Sequence, residues 1–342
     1  MGTDFVKTEG TRFVVHGNAF PVAGVNCYFL AYCSDESRRA ALTTARAMGA
    51  NVVRSWAFLD VAVRGSVAFQ YLDDGRIVQN SGPDGLERLD ALIAIAEELS
   101  VKLILPFVNY WENELGGMKR YLTWLGIPGE ADVFYREPAA RDAYRRWVEC
   151  LLTRRNTRTG RVYAEEPAVM AWELANEPRC EVAGGRELLL DWVGEMSAFV
   201  KSFDRNHLLA LGDEGFLRHA ATHDPLYNGS HGVDGEAVLN FGEIDFGTCH
   251  FYPTNMGHGP EFGATWIRDH VASCSRAGKP MLFEEYGLTL QEVGNDAALR
   301  AEWYAQWTEA VRDAGGGGHL LWMLGCRNPD VVAFHDDYTV YE

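Results

Sequence analysis

Residues 167–178 read Pro167-Ala168-Val169-Met170-Ala171-Trp172-Glu173-Leu174-Ala175-Asn176-Glu177-Pro178. The run 167–171 is short and apolar, the pattern of a strand buried on both faces. Asn176 and Glu177 follow its C-terminal end. Pro178 then stops it, because it has no N–H to continue a ladder. In a (β/α)8 barrel every strand ends on the same side and the loops that follow form the mouth, so a polar pair there is placed for catalysis. The competing reading of Glu177 is a solvated loop carboxylate. It loses force if a second carboxylate ends another strand.

Outward from that stretch the chain alternates. Strands are predicted over 22–26, 51–55, 102–107, 208–211, 246–250, 280–284 and 319–324. Helices are predicted over 36–48, behind Ser34 or Asp35 as cap, and over 138–155, 186–203, 265–277 and 297–314. One more, capped by Asp84, carries Leu86, Leu89, Leu92, Ile93, Ala96 and Leu99 at helical spacing. Eight strands alternating with helices, without a domain break, predict a single α/β domain, the (β/α)8 TIM barrel, over residues 1–342. A hairpin of 5–7 and 12–15 about Glu9-Gly10 is expected to plug the barrel bottom. Long loops 59–82 (with a small hairpin), 112–137 and 215–243 belong to the mouth. Only eighteen residues follow Leu324, so the eighth helix is expected to be short, displaced or absent.

Composition narrows the function. A net charge of -17 and a pI near 5.0 argue against nucleic acid and anionic membranes and suit a neutral substrate. Ten Trp offer faces on which sugar rings stack, although several must simply fill the core. The seven cysteines include no C-x-x-C and define neither a zinc site nor a disulfide framework. No window reaches the length of a membrane span. Met1-Gly2-Thr3-Asp4 lacks a leader pattern, which leaves an intracellular protein or a trimmed, secreted form, the latter favoured.

Just past the strands stand Asn26, Arg54, Trp56, Trp111, Asn176, Glu177, Glu214, His250, Tyr252, Glu284, Glu285 and Trp322. Two Glu with an Arg, a His, a Tyr and several Trp, and no His/Cys metal cluster, describe glycoside hydrolysis. One carboxyl must protonate the leaving oxygen and the other act as nucleophile or base.

Asn176-Glu177-Pro178 and Glu285-Tyr286-Gly287 resemble glycoside hydrolase family 5, as do Val53-Arg54-Ser55-Trp56, His250-Phe251-Tyr252-Pro253 and Trp322. Residues 172–179, Gly212-Asp213-Glu214-Gly215 and Asp337-Tyr338-Thr339-Val340-Tyr341 look most like its β-mannanase branch. The resemblance implies a retaining hydrolase of β-mannan or manno-oligosaccharides, with no metal or cofactor. It implies that Glu177 is the acid/base, protonated near neutral pH, and that Glu285 is the nucleophile, kept ionised by Arg54 beside Tyr252. Glu284 is the rival nucleophile, but alternation along a strand turns it outward or leaves it structural. Asn176 would hold the sugar 2-hydroxyl. His250 would touch sugar, hold the acid/base or be a satisfied core histidine. Trp322 would floor the cleaved sugar, Trp111 would wall it, Trp56 would bind substrate, and Arg179 with Glu214 would grip the leaving-group side. A monomer is expected.

Other readings stay open: an exo-β-mannosidase, a β-glucan hydrolase, a noncatalytic polysaccharide-binding barrel and a metal-dependent barrel hydrolase. His219-x-x-x-His223 has metal-ligand spacing but lacks the Glu of a zinc-protease helix. Asn228-Gly229-Ser230 is a glycosylation sequon, and Cys180 reads as a buried or disulfide cysteine.

Overall fold

The structure, a computed structural model, describes residues 5–61, 67–218 and 222–341. Eight parallel strands form the barrel: β1 Val22–Asn26, β2 Val52–Arg54, β3 Lys102–Pro106, β4 Val169–Glu173, β5 Leu208–Ala210, β6 Gly247–Phe251, β7 Met281–Tyr286 and β8 Gly318–Leu321. Neighbours in space are neighbours in sequence, and β8 returns to pair with β1 through Gly318↔Val22. Between β5 and β6 the wall closes through Asp245, whose N–H donates to the Leu209 carbonyl at 2.7 Å. Its carboxylate accepts the Leu209 N–H at 2.8 Å.

Helices α1 Asp35–Ala47, α2 Glu87–Glu98, α3 Pro138–Thr153, α4 Gly185–Phe203, α5 Gly263–Arg276 and α6 Ala297–Ala314 surround this barrel. Ser34 caps α1 by accepting the Ser37 N–H at 3.2 Å. Asp84 does not cap α2, which starts later; its carboxylate accepts from Asn80 at 3.1 Å. The apolar stripe of α2 is buried at Leu89, Leu92, Ile93 and Ala96. On α3, the buried Tyr144 hydroxyl and Trp147 indole donate to the carbonyls of Leu174 and Phe107. The large aromatic tips therefore satisfy strand-end carbonyls rather than leaving them bare.

The bottom of the barrel is apolar. Seven strands, and the residue just before β6, contribute to one buried cluster (Val22, Val52, Ile104, Ala171, Leu208, Phe246, Leu282, Leu320), and Val6 and Phe13 cover it from below. Phe13 belongs to the hairpin Lys7–Glu9 with Arg12–Val15, which covers the barrel bottom as expected, although its first strand lies at 7–9 and not at 5–7. Polar groups are thereby confined to the upper half. After β8 the described residues hold only a 3-10 turn, Val332–Phe334, in place of an eighth helix. The segment then pairs Val340 with Leu324, beside the mouth.

The small hairpin of the first long loop is Gln70–Asp73 with Arg76–Gln79. Gln70 also pairs in register with Asp60, and its amide donates to the Asp60 carboxyl at 2.9 Å and to the Tyr121 hydroxyl at 2.5 Å. Asp60 Oδ2 and Gln70 Oε1 are both buried and without a hydrogen-bond partner among the described residues. A proton on Asp60 spares the fold a buried, unpaired negative charge. Burial, only partly offset by Gln70 and Arg120, pushes Asp60 up to about 7. An acid raised on folding stabilises the fold fully below its unfolded value near 3.9, and that stability drains away as pH climbs to the folded value. Asp60→Asn keeps the shape and is uncharged at every pH. It is expected to raise Tm by roughly 2–6 °C at pH 8 and to change it little at pH 4, as read by thermal denaturation at both pH values. An equal shift at both would contradict a protonated Asp60.

Candidate active site

Beyond β4 the chain turns sharply. The Asn176 N–H donates to Val108 and the Glu177 N–H to Gly212, both at 2.8 Å. Glu177 has φ +48°, a left-handed conformation that costs a non-glycine residue about 1–3 kcal/mol and clusters at functional sites. Gly212 lets the turn fit, since a Cβ there would stand 2.2 Å from the Ala175 carbonyl.

Arg54, at the end of β2, is wholly buried and is the hub of the mouth. Its Nη2 donates to Glu173 and to Asn176 Oδ1, both at 2.8 Å. Its Nη1 donates to Glu285 Oε1. Its Nε lies 3.0 Å from Glu173 Oε2 and 3.7 Å from Glu284 Oε2. Tyr252 donates to the other oxygen of Glu285 at 2.6 Å. Arg54 and Tyr252 flank Glu285, as expected.

Glu284 does not point outward. Cys249 pairs with Phe283 while His250 pairs with Glu285, so β7 carries one extra residue against β6. Such a bulge breaks the alternation that assigns neighbouring side chains to opposite faces. Both carboxyls turn inward, and Glu284 is completely buried against Arg54 and His250.

His250 holds the other carboxyl. Its Nδ1 is 2.7 Å from Glu177 Oε1 and 3.6 Å from Glu285 Oε2, and its Nε2 is 3.3 Å from Glu284. The Trp111 indole donates to Glu177 Oε2 at 2.7 Å. Donor atoms of Glu177, His250 and Glu285 all lie within 4.8 Å of one another. That proximity fits the ~5–5.5 Å carboxyl spacing of retaining glycosidases better than the ~6.5–9.5 Å of inverting ones. These three could also present ligands to a cation, a grouping that the sequence reading did not foresee.

The protonation order departs from expectation. Burial pushes Glu285 up, partly offset by His250, Arg54 and Tyr252. Burial pushes Glu177 up too, but the hydrogen bond and charge of His250, with Trp111 and Arg179, hold it below the usual carboxylate range. Burial lowers His250, yet the carboxylates of Glu285, Glu177 and Glu284 raise it well above an ordinary imidazole. Both shifts favour a protonated imidazole beside an ionised Glu177. A sequence reading of Glu177 alone could not weigh that partner.

The mouth opens into a cleft of about 540 Å³. One wall joins Glu177 to Trp111 and to a bidentate pair in which Arg179 meets both oxygens of Glu214 at 2.7 Å. Arg179 also lies 5.0 Å over the Trp111 ring. The other wall runs from Tyr252 to Tyr338, and to Trp322, which stacks on Tyr28 with centroids 5.6 Å apart and donates to Asp336 at 2.8 Å. Trp56 reaches the cleft as well but is nearly buried, with the Arg54 guanidinium 4.8 Å from its ring.

All the sequence-derived site residues thus converge on one mouth. His219 lies outside the described residues. Cys180 is a free, buried thiol, raised to about 12 by burial and by Asp132. The sequence reading missed Glu173, although Ala171 inward and Trp172 outward would have turned it in. It passed over Asn109, which accepts from Asn176 Nδ2 at 3.0 Å. It also missed Tyr28, two residues past β1, and Asp336, and it met Tyr338 only within a branch-like motif.

A barrel with two close carboxyls in a sugar-sized aromatic cleft defines a glycoside hydrolase. Residues 3–318 match the family described as GH family 5 beta-mannosidase-like, and the chain belongs to that family. It is 36% identical over 339 residues to mannan endo-1,4-beta-mannosidase A of Podospora anserina, covering 98% of this chain and 86% of that one. The endo-1,4-beta-mannanase structure from Rhizomucor miehei superposes with a TM-score of 0.91 at 33% identity, over 98% of this chain and 94% of the other. The hyperthermostable endo-1,4-beta-D-mannanase from Thermotoga petrophila gives 0.83 at 36% identity, over 94% and 95%.

Removing Arg54 would leave buried carboxylates without their counter-charge. Arg54→Met is expected to lower unfolding stability by about 3–5 kcal/mol at pH 7, measured by denaturant titration. A loss under ~1 kcal/mol would show that the carboxyls do not depend on it.

Proposed function

We propose that this chain is a retaining, endo-acting β-1,4-mannan hydrolase that works by double displacement. The observation that carries the reading is the asymmetric pair: Glu285 clasped by Arg54 and Tyr252, and Glu177 held by His250 and Trp111. Glu285 attacks the anomeric carbon while the Glu177–His250 pair supplies a proton to the leaving oxygen. Glu177 then takes a proton from the water that releases the sugar. The proton required is shared across a 2.7 Å contact, one hydrogen bond from Glu177 Oε1.

Asn176 keeps one of its two Nδ2 hydrogens for a sugar hydroxyl, since Asn109 takes the other. Trp322 floors the cleaved sugar, and Arg179 with Glu214 grips the sugar beyond the scissile bond. Endo action draws support from walls on both sides of the carboxyl pair, and from the endo-mannanases among the relatives. The reading extends to a monomer secreted to meet a polymer too large to enter a cell.

Reducing-sugar release should be faster from mannan than from cellulose, and faster cellulose turnover would defeat the substrate class. Glu285→Ala should lose activity and recover it with azide as an α-linked product. Glu177→Ala should keep activity on aryl β-mannosides with good leaving groups, which need little protonation. Equal, unrescued losses would undo the division of roles. Arg179→Ala should raise KM for short manno-oligosaccharides roughly tenfold and leave an activated aryl mannoside little changed. Product analysis and initial rates check both arms.

A further inference from the structure

Glu284 has no part in the double displacement, yet it is one of the most constrained side chains of the mouth. The β7 bulge turns it inward beside Glu285, and its side chain is completely buried. Its Oε2 faces His250 Nε2 at 3.3 Å, and Arg54 and Glu173 are its other polar neighbours. His250 is fully buried too, and its backbone carbonyl accepts the Trp266 indole N–H at 2.8 Å, which fixes the main chain that carries the ring.

An imidazole between two carboxyls has two nitrogens, and each contact needs a proton from one side or the other. With Glu284 ionised, the Nε2 contact is a hydrogen bond only if Nε2 carries the proton. A neutral His250 is then left with a bare Nδ1, which must accept from Glu177. A cationic His250 donates from Nδ1 to ionised Glu177. Both states hold the same proton across the same 2.7 Å contact. Losing it sets a lone pair against a carboxylate, whichever tautomer His250 adopts.

We infer that Glu284 is a positioning residue: by pinning a proton on His250 Nε2, it reserves Nδ1 for the proton that Glu177 uses as catalytic acid. This rests on the assignment of Glu177 as acid/base. The charges around the group bear on its sign. Glu177, Glu284 and Glu285 face His250 directly, and Asp213 and Glu214 feel its charge from the segment after β5. Glu284 itself is faced by Arg54, Glu173 and His250, with the Cys249 thiol also near. Glu173 shares Arg54 with Glu284, and among the described residues it makes no hydrogen bond to His250.

Glu284→Gln removes the charge and offers an amide N–H to Nε2. The Nδ1–H tautomer can then donate to an ionised Glu177, so the acid proton leaves at lower pH. The alkaline limb of kcat/KM on manno-oligosaccharides is expected to move down by roughly one pH unit or more. Glu173→Gln, which alters the same buried cluster away from His250, should move that limb by less than about a third as much. An unmoved limb in Glu284→Gln, or equal shifts in the two variants, would overturn the inference. Nitrogen-15 NMR of the imidazoles in the unsubstituted chain, with the His250 signals assigned through His250→Asn, gives a test independent of activity. Nε2 should stay protonated across about pH 5–9 while Nδ1 titrates; a proton lost first from Nε2 would overturn the inference even if Glu284→Gln does not fold. A chain inactive on every β-mannoside would remove the mannanase reading and leave the NMR result to decide the tautomer.

Discussion

The mouth of this barrel depends on one buried guanidinium. Arg54 meets Glu173, Glu285 and, at longer range, Glu284 in a region closed to solvent. Burying a carboxylate costs several kcal/mol, and several together add mutual repulsion. The planar fork of an arginine can serve more than one carboxylate at once and keeps its charge at any accessible pH. Its neighbours are thereby held at fixed angles, and Glu285 presents one oxygen to Arg54 and the other to Tyr252.

The rest of the fold makes that arrangement possible. The lower barrel is filled with apolar side chains and capped by Val6 and Phe13, so the inward polar positions are left to the strand ends. Local irregularities then set the fine geometry. The left-handed backbone at Glu177 aims its carboxyl at His250 and Trp111. The extra residue in β7 brings a third acid, Glu284, beneath the same imidazole. Strain of this kind persists only where surrounding contacts over-determine it.

Much of this was legible in the chain. Apolar runs ending in Asn176-Glu177 and Glu284-Glu285, separated by helical patterns, lead to a barrel and to both carboxyls without coordinates. The plug hairpin was legible for the same reason, as a local pattern. What escaped depends on pairing. Alternation sends Glu284 outward, and only the register of β6 against β7 reverses it. The cap of α2 was misplaced because Asp84 bonds Asn80 within the preceding turn. Asp336 and Tyr338 enter the cleft because the chain doubles back after β8, which no local pattern announces. The protonation order escaped because it belongs to His250 and three carboxylates together.

The central claim is that the Arg54 clasp makes Glu285, and neither of its acidic neighbours, the group that bonds to sugar. Trapping tests it directly. The enzyme would be incubated with a 2-deoxy-2-fluoro-β-mannosyl fluoride, which slows release of the sugar more than its attachment, then digested and mapped by mass spectrometry. The account predicts a single fluoromannosyl ester on Glu285. An ester on Glu284 or Glu177 would contradict it.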